Sequence, residues 1–379
     1  MGMTASSTNR VFTTGNAMTA RAAIDAGCRF FAGYPITPAS QVYTDLTRLL
    51  PACGGVAMAA PDEISSLSYV VGASLRGTKA MTATSGPGYC LMVETMGYAL
   101  MTETPLVVVL VQRLGPSTGA ATQGAQGDIH MVMGTVSGGY AIPVFAPSTA
   151  AESYEDTLRA FEWSERLRTP VVLLSDKEVA STSEVVDLDA LPTPLTVTRP
   201  TYNGDGPFVP YGFETLTDVP AFAPVGGAQA VTVTGSAHDK QGNLRKNDPD
   251  TLANLERLEA KIQAAEPELG RIDFDEDPGA DTLVLSYGVS ARASRDAVAA
   301  ARAQGLKVSL GTVRTLFPLP RTALAKVLAG IKRVIVPEEN FGGQYRYVLQ
   351  PLLGDRQVIG LNRVGGLIKP QEILDVIGQ

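Results

Sequence analysis

Four short stretches of this 379-residue chain carry residue types that bind and transform small anions: YPITP (residues 34–38), PDE (61–63), TATSGPG (82–88) and QRLGPSTG (112–119). Each follows a β-rich run, and in open α/β sheets ligands sit at the carboxyl ends of the strands. Each is also rich in Gly, Pro or hydroxyl groups, so backbone atoms can approach a ligand closely. On pattern alone, three have plainer readings. YPITP is a rigid turn. Glu63 is an acid in the first turn of a helix, where the dipole favours it. TSGPG looks like an anion-binding turn, yet it lacks GxGxxG spacing and Pro87 removes a donor N–H. Arg113 is harder to dismiss. A guanidinium at the end of a strand buried on both faces is costly unless it pairs, which points to a carboxylate or another anion. His130 and His238 read as ordinary surface or core residues.

The elements that position these stretches alternate in type. Helices are expected over 17–26, 41–50 and 62–76, with Gly27 and Gly77 closing the first and third. CRFFAGY, GVAMAA, TKAMTAT and PLVVVLV read as strands, and SGPG as the turn before a long apolar helix. AIPVFAP, a helix over 152–166 and PVVLLSD continue the rhythm. This predicts an α/β fold with a mostly parallel sheet covered on both faces. We place a first domain at 8–195. A Pro/Gly-rich connection follows at 196–277, with an edge hairpin at QAVTVTGS, a helix at TLANLERLEAKIQAAE and an acidic linker at RIDFDEDPGAD. A second α/β domain occupies 278–379.

Composition removes whole classes of function. Lys and Arg total 31 against 38 Asp and Glu, a formal charge of −7, so a basic nucleic-acid-binding face is not expected. Cys28, Cys53 and Cys90 are odd in number and never form a CxxC pair, and only two histidines are present. A disulfide framework, a metal site or an iron–sulfur cluster held by this chain alone is therefore not expected. MGMTASSTNRVF lacks the apolar core of a signal peptide, and the longest apolar run, 106–111, is too short to span a bilayer. A cytoplasmic protein with no membrane partner is the expectation.

Together, TTGNAMTARAAIDAGCRFFAGYPITPAS, DEISSLSYVVGASLRGTKAMTATSGPGYCLMVETMGYAL and TPLVVVLVQRLGPSTG resemble the α subunits of 2-oxoacid:ferredoxin oxidoreductases. GSAHDKQGNLRKNDPD, VRTLFPLP and VPEENFGGQ are similar to the two-subunit type, especially the 2-oxoglutarate enzymes. The resemblance covers nearly the whole chain. It implies a pyrimidine-type thiamine diphosphate domain, a C-terminal transketolase-like α/β domain, and oxidative decarboxylation of a 2-oxoacid to an acyl-CoA. Branched-chain or pyruvate enzymes and a non-catalytic scaffolding subunit are the alternatives.

Carried over by the resemblance, Glu63 is the catalytic carboxylate against N1′ of the aminopyrimidine. Thr37 and Arg113 hold the substrate carboxylate. Tyr34, Pro35, Ile36, Ser85 and Gly86 line the cofactor, with Glu94, Ser117 and Thr118 as further lining positions. AATQGAQGDIHMVMGTVSGGY departs from the family's usual wording. Gly204–Asp205–Gly206 spells the opening of a diphosphate–magnesium motif, but TRPTYN precedes it and no Asn ligand follows closely, so it reads as a turn. The resemblance therefore implies no metal here. Mg2+ and a [4Fe-4S] cluster are expected on a β subunit in an α2β2 assembly, with ferredoxin and coenzyme A as further partners. The second domain is expected to build assembly surface and to carry no catalytic residue.

Overall fold

The computed structural model describes residues 9–379. The first eight residues, including the start of the expected first domain and most of the stretch read as lacking a signal-peptide core, lie outside the described residues.

The first sheet has seven strands, in the order Thr315–Phe317, Val144–Phe145, Pro170–Asp176, Leu106–Gln112, Ala80–Ser85, Phe30–Gly33, Val56–Ala59. Its neighbours are parallel except Thr315–Phe317, which runs antiparallel to Val144–Phe145. LVVVLVQ and PVVLLSD register Leu106 with Pro170 through Gln112 with Asp176, and every position of both is buried. Continuous β-branched and Leu runs of this kind fit strands covered on both faces. The second sheet runs Gln357–Asn362, Arg333–Glu338, Thr282–Ser286, Ser309–Val313, Ile272–Asp275, with only the last pair antiparallel. A two-stranded ribbon joins Arg10–Thr14 to Ser183–Asp187.

Three expectations are corrected. The acidic linker contains the edge strand Ile272–Asp275, because its acids are neutralised: Asp273 meets Arg271 and Arg314, and Asp275 meets Arg302. The hairpin expected at 229–236 does not form; the surrounding connection is held by isolated bridges and side chains instead. Arg168 donates to the Pro220 and Ala221 carbonyls, and buried Arg199 pairs with Glu165. Thirdly, Gly86, Pro87 and Gly88 are the first turn of the helix Gly86–Met101 rather than a turn before it. Proline suits that position because the first helical N–H groups have no intrahelical acceptor anyway. The helix Gln344–Leu353 and the strand Gln357–Asn362 were not anticipated. Gly204–Asp205–Gly206 sits in an exposed bend, as read.

The two sheets share one core. Leu110 and Val144 of the first cluster with Leu283, Leu316, Phe317 and Tyr345 from the C-terminal part. Arg314 crosses the junction, nearly inaccessible, with Asp156, Glu155 and Asp273 around it. The helix Pro249–Leu269 is docked by a buried triad in which Glu103 takes both Arg257 and the Lys261 ammonium, the latter at 2.7 Å. Burial pushes the Glu103 carboxyl up, but Lys261 and Arg257 overcome this and hold it well below the usual range. Because its folded-state pKa is depressed, its contribution is complete above the ordinary Glu pKa and is lost as pH falls through the folded value. Glu103→Gln leaves two buried cations short of a counter-charge. It is expected to cost about 3–5 kcal/mol in urea unfolding at pH 7, and that deficit should shrink as the pH is lowered below 4.

Candidate active site

The chain runs from Phe30–Gly33 to one neighbour, Val56–Ala59, and then crosses to the other, Ala80–Ser85. The loops leaving Gly33 and Ser85 therefore diverge, and crevices of this kind at the carboxyl ends of strands are where α/β sheets bind ligands. Three of the four stretches singled out by sequence border this crevice, and Arg113 reaches it from the end of Leu106–Gln112.

Glu63 opens the helix Glu63–Leu75. Asp62 caps it, its Oδ1 accepting from the Ser65 amide at 2.7 Å. This cap turns the Glu63 side chain inward, and the residue is only 7% exposed. Its carboxylate lies against the first turn of Gly86–Met101: a Cβ built on Gly88 would fall 2.6 Å from Glu63 Oε1 and 2.2 Å from Thr84 Oγ1. No described residue donates a hydrogen bond to that carboxylate. Beside it, Ser85 ends its strand fully buried, and its Oγ has no partner among the described residues. Gly86 follows, buried as well. Buried polar groups left unpaired within a chain are costly, so this set suits a ligand that supplies donors and acceptors.

The YPITP loop lies across from them. Tyr34, Pro35 and Thr37 are exposed and Ile36 is half-buried. The Asn16 amide pins the loop by donating to the Pro38 carbonyl at 3.0 Å. Arg113 ties the loop to its own: Nη1 donates to the Thr37 carbonyl at 2.6 Å and Nη2 to the Thr118 carbonyl at 2.9 Å. The residue is 7% exposed, and its Nε is buried with no partner among the described residues. Thr37 is thus joined to Arg113 through its backbone, and its hydroxyl remains free to face the crevice.

Arg113, Gly86 and Ser117 line a cavity of about 380 Å3 that the second domain closes with Glu339, Asn340 and Phe341. The second domain, expected to build assembly surface and to carry no catalytic residue, thus also lines this cavity. Asp128 lines it too. Its carboxyl sits 3.0 Å from where a Gly86 Cβ would stand, so a side chain there would crowd it. Burial pushes Asp128 up to about 6, with Arg113 pulling the other way. Burial likewise pushes Glu339 up to about 7, against a hydrogen bond from the Ile368 amide. Glu94 does not join this group. It lines a separate cleft beside Tyr98, Tyr140 and Leu255.

The seam between the domains is built on Gln126 and Asp176. Gln126 exchanges backbone hydrogen bonds and side-chain contacts with Glu339, Asn340, Tyr287 and Ser290. Asp176 accepts from Gln112 at 2.8 Å, from Gln126 and from the Val289 amide. Burial pushes its pKa well up against those donors. Gly288 is required beside it, at φ +54° and with a Cβ position 2.0 Å from Asp176 Oδ2. Sequence reading missed Asp128, Glu339 and this seam. The one available signal was a Gly-bounded acid, GDI, at the start of a short helix after the Arg113 loop.

Among the described residues no group of three or more His, Cys, Asp or Glu could hold a metal. The donor set instead fits the aminopyrimidine of thiamine diphosphate: an unpartnered carboxylate, an unpartnered hydroxyl and a glycine where a side chain would intrude. Gly88→Ala is expected to push the Glu63 carboxylate aside. A crystal structure of the variant should show that displacement, and urea unfolding should show a stability lower by roughly the 1–3 kcal/mol of an overpacked core site.

Residues 21–257 match the family described as pyruvate flavodoxin/ferredoxin oxidoreductase, thiamine diphosphate-binding, and residues 280–373 match pyruvate:ferredoxin oxidoreductase core domain II. The 2-oxoglutarate synthase subunit KorA of Methanothermobacter marburgensis is 38% identical over 98% of this chain and 99% of its own length. That of Methanocaldococcus jannaschii is 38% identical over 96% and 97%. A chain of the 2-oxoglutarate:ferredoxin oxidoreductase from Magnetococcus marinus, solved with 2-oxoglutarate, coenzyme A and succinyl-CoA bound, superposes with a TM-score of 0.91 at 31% identity over 98% of this chain, which spans 65% of that one. With both domains matched in order and the site formed at their junction, the chain belongs to the 2-oxoacid:ferredoxin oxidoreductase family, in the subunit form that joins a thiamine diphosphate-binding domain to core domain II.

Proposed function

We propose that this chain is the α subunit of a cytoplasmic 2-oxoglutarate:ferredoxin oxidoreductase. 2-Oxoglutarate, coenzyme A and two oxidised ferredoxins become succinyl-CoA, CO2, a proton and two reduced ferredoxins. The same site can run in reverse as a carboxylase. One observation carries the reading: Glu63, only 7% exposed and with a carboxylate that no described residue pairs, in a thiamine diphosphate-binding domain. The substrate assignment is supported by relatives at 36–38% identity over nearly their whole length, all called 2-oxoglutarate synthase subunits.

Thiamine diphosphate, when bound, supplies the carbon nucleophile and the electron sink for loss of CO2. Glu63 would hold the proton at N1′ of its aminopyrimidine; with water excluded, a charge-assisted hydrogen bond there gains strength. Ser85 and Gly86 would line the same ring, with Tyr34, Pro35 and Ile36 on the opposite wall. Arg113 binds the substrate carboxylate. A cation there also opposes that carboxylate's departure as CO2, so the chief gain is in positioning. The Thr37 hydroxyl shares the task.

The diphosphate anchor, Mg2+ and a [4Fe-4S] cluster would come from a β subunit in an α2β2 complex. This chain on that reading is half an active site and inert alone. The complex is tested by co-purification: a second chain with iron–sulfur absorbance is expected. In the assembled enzyme, Glu63→Gln is expected to lower kcat about 10²–10⁴-fold, the usual span for a proton-transferring group, while assembly and melting temperature hold. Turnover within twofold of wild type would instead favour a scaffolding subunit.

A further inference from the structure

The cavity behind Arg113 holds two polar groups that the reading so far leaves without a task. One is Arg113 Nε, buried and unpartnered, and the other is the Asp128 carboxyl. Neither Asp128 oxygen accepts a hydrogen bond from a described residue, and Oδ2 is closed off from solvent. Arg113 does not neutralise it: the guanidinium is spent on the Thr37 and Thr118 carbonyls, and no ion pair forms between the two side chains within 4.0 Å. Arg113 is the single Lys or Arg among the residues lining this cavity. A substrate carboxylate arriving there therefore meets one cation and, lining the same cavity, a second carboxyl group that cannot stay ionised beside it without repulsion.

We propose that Asp128 is a second substrate-binding residue, one that binds the 2-oxoacid in its protonated form by donating a hydrogen bond from its carboxyl to the substrate carboxylate. This rests on the reading of Arg113 as the 2-oxoacid's cation. Two carboxyl groups sharing a site retain one proton between them. Burial already pushes the Asp128 carboxyl up to about 6 before substrate binds. Above that value, binding must take up a proton and affinity falls by up to tenfold per pH unit. Below it, Asp128 is already protonated and affinity is flat. Besides Arg113, the groups around Asp128 are Tyr89 and Cys90 of the helix Gly86–Met101, His130 on its own short helix, and Glu339 across the cavity. Tyr89 and Cys90 are both pushed upward by burial, away from neutral pH. Glu339 is pushed up to about 7 and competes for the titration.

The test uses the assembled holoenzyme. Turnover of 2-oxoglutarate is confirmed first; its absence would refute the substrate reading and leave the question of Asp128 to another 2-oxoacid that is turned over. KM is then followed from pH 6 to 8.5 for wild type, Asp128→Asn, Asp128→Ala and Glu339→Gln. Wild type should show KM rising toward tenfold per unit above neutrality with kcat much less affected. Asp128→Asn keeps a donor without a charge, so the slope should vanish near the wild type's low-pH KM. Asp128→Ala should lose the slope with a KM raised tenfold or more, and Glu339→Gln should keep it. Calorimetry of N-oxalylglycine, a 2-oxoglutarate analogue without a reactive ketone, in buffers of different ionisation enthalpy gives a readout that needs no variant. Close to one proton should be taken up per site at pH 7.5. No proton uptake by wild type, a slope that persists in Asp128→Asn, or a slope abolished only in Glu339→Gln would overturn the proposal.

Discussion

The carboxylate of Glu63 faces the backbone of Gly88 with no donor among the described residues in reach, and much of the first domain exists to keep it there. Asp62 caps the helix so that the next side chain turns inward. Gly88 gives up a side chain so that the carboxylate has a place to lie. Ser85 brings the strand end to the same point and leaves its hydroxyl unspent. A folded chain normally satisfies buried polar atoms internally. Here the missing partner is the functional statement, because a ligand that supplies it gains what the fold left open.

The same economy governs the arginine side. Arg113 organises two loops through carbonyl contacts and so is rigid before any substrate arrives, yet its Nε is held back. Preorganised donors cost no reorganisation when an anion binds. The second domain completes this wall. It does so through Gln126, whose amide and backbone grip the 339–340 loop, and through Asp176, which receives the N-terminus of the helix Gly288–Ala303. The junction is therefore part of the site and not only a means of assembly.

How much of this was readable in the sequence depends on the range of the interaction concerned. The parallel sheet was legible because LVVVLV and PVVLLSD announce strands buried on both faces. Glu63 and Arg113 were legible as an acid after a strand end and a cation beside an apolar run. The edge strand Ile272–Asp275 was not, because its acids look like a solvated linker until Arg271, Arg302 and Arg314 are placed against them. Asp128 and Glu339 lie 211 positions apart, and nothing local in GDI or PEEN shows that they face one cavity.

Periodicity, turn chemistry and the motif blocks by themselves determined the fold class and the family, and they singled out the two charged residues proposed for binding and catalysis. These are properties of short windows, where a residue's neighbours in the chain are its neighbours in space. The tertiary structure alone decided which loops meet, that Thr315–Phe317 leaves its own domain to edge the first sheet, and that Glu103 is buried between Arg257 and Lys261. It alone left Asp128 uncompensated inside a cavity. The reason is physical: whether a charge is paired, solvated or stranded depends on distances across the fold, and sequence order does not encode those distances locally.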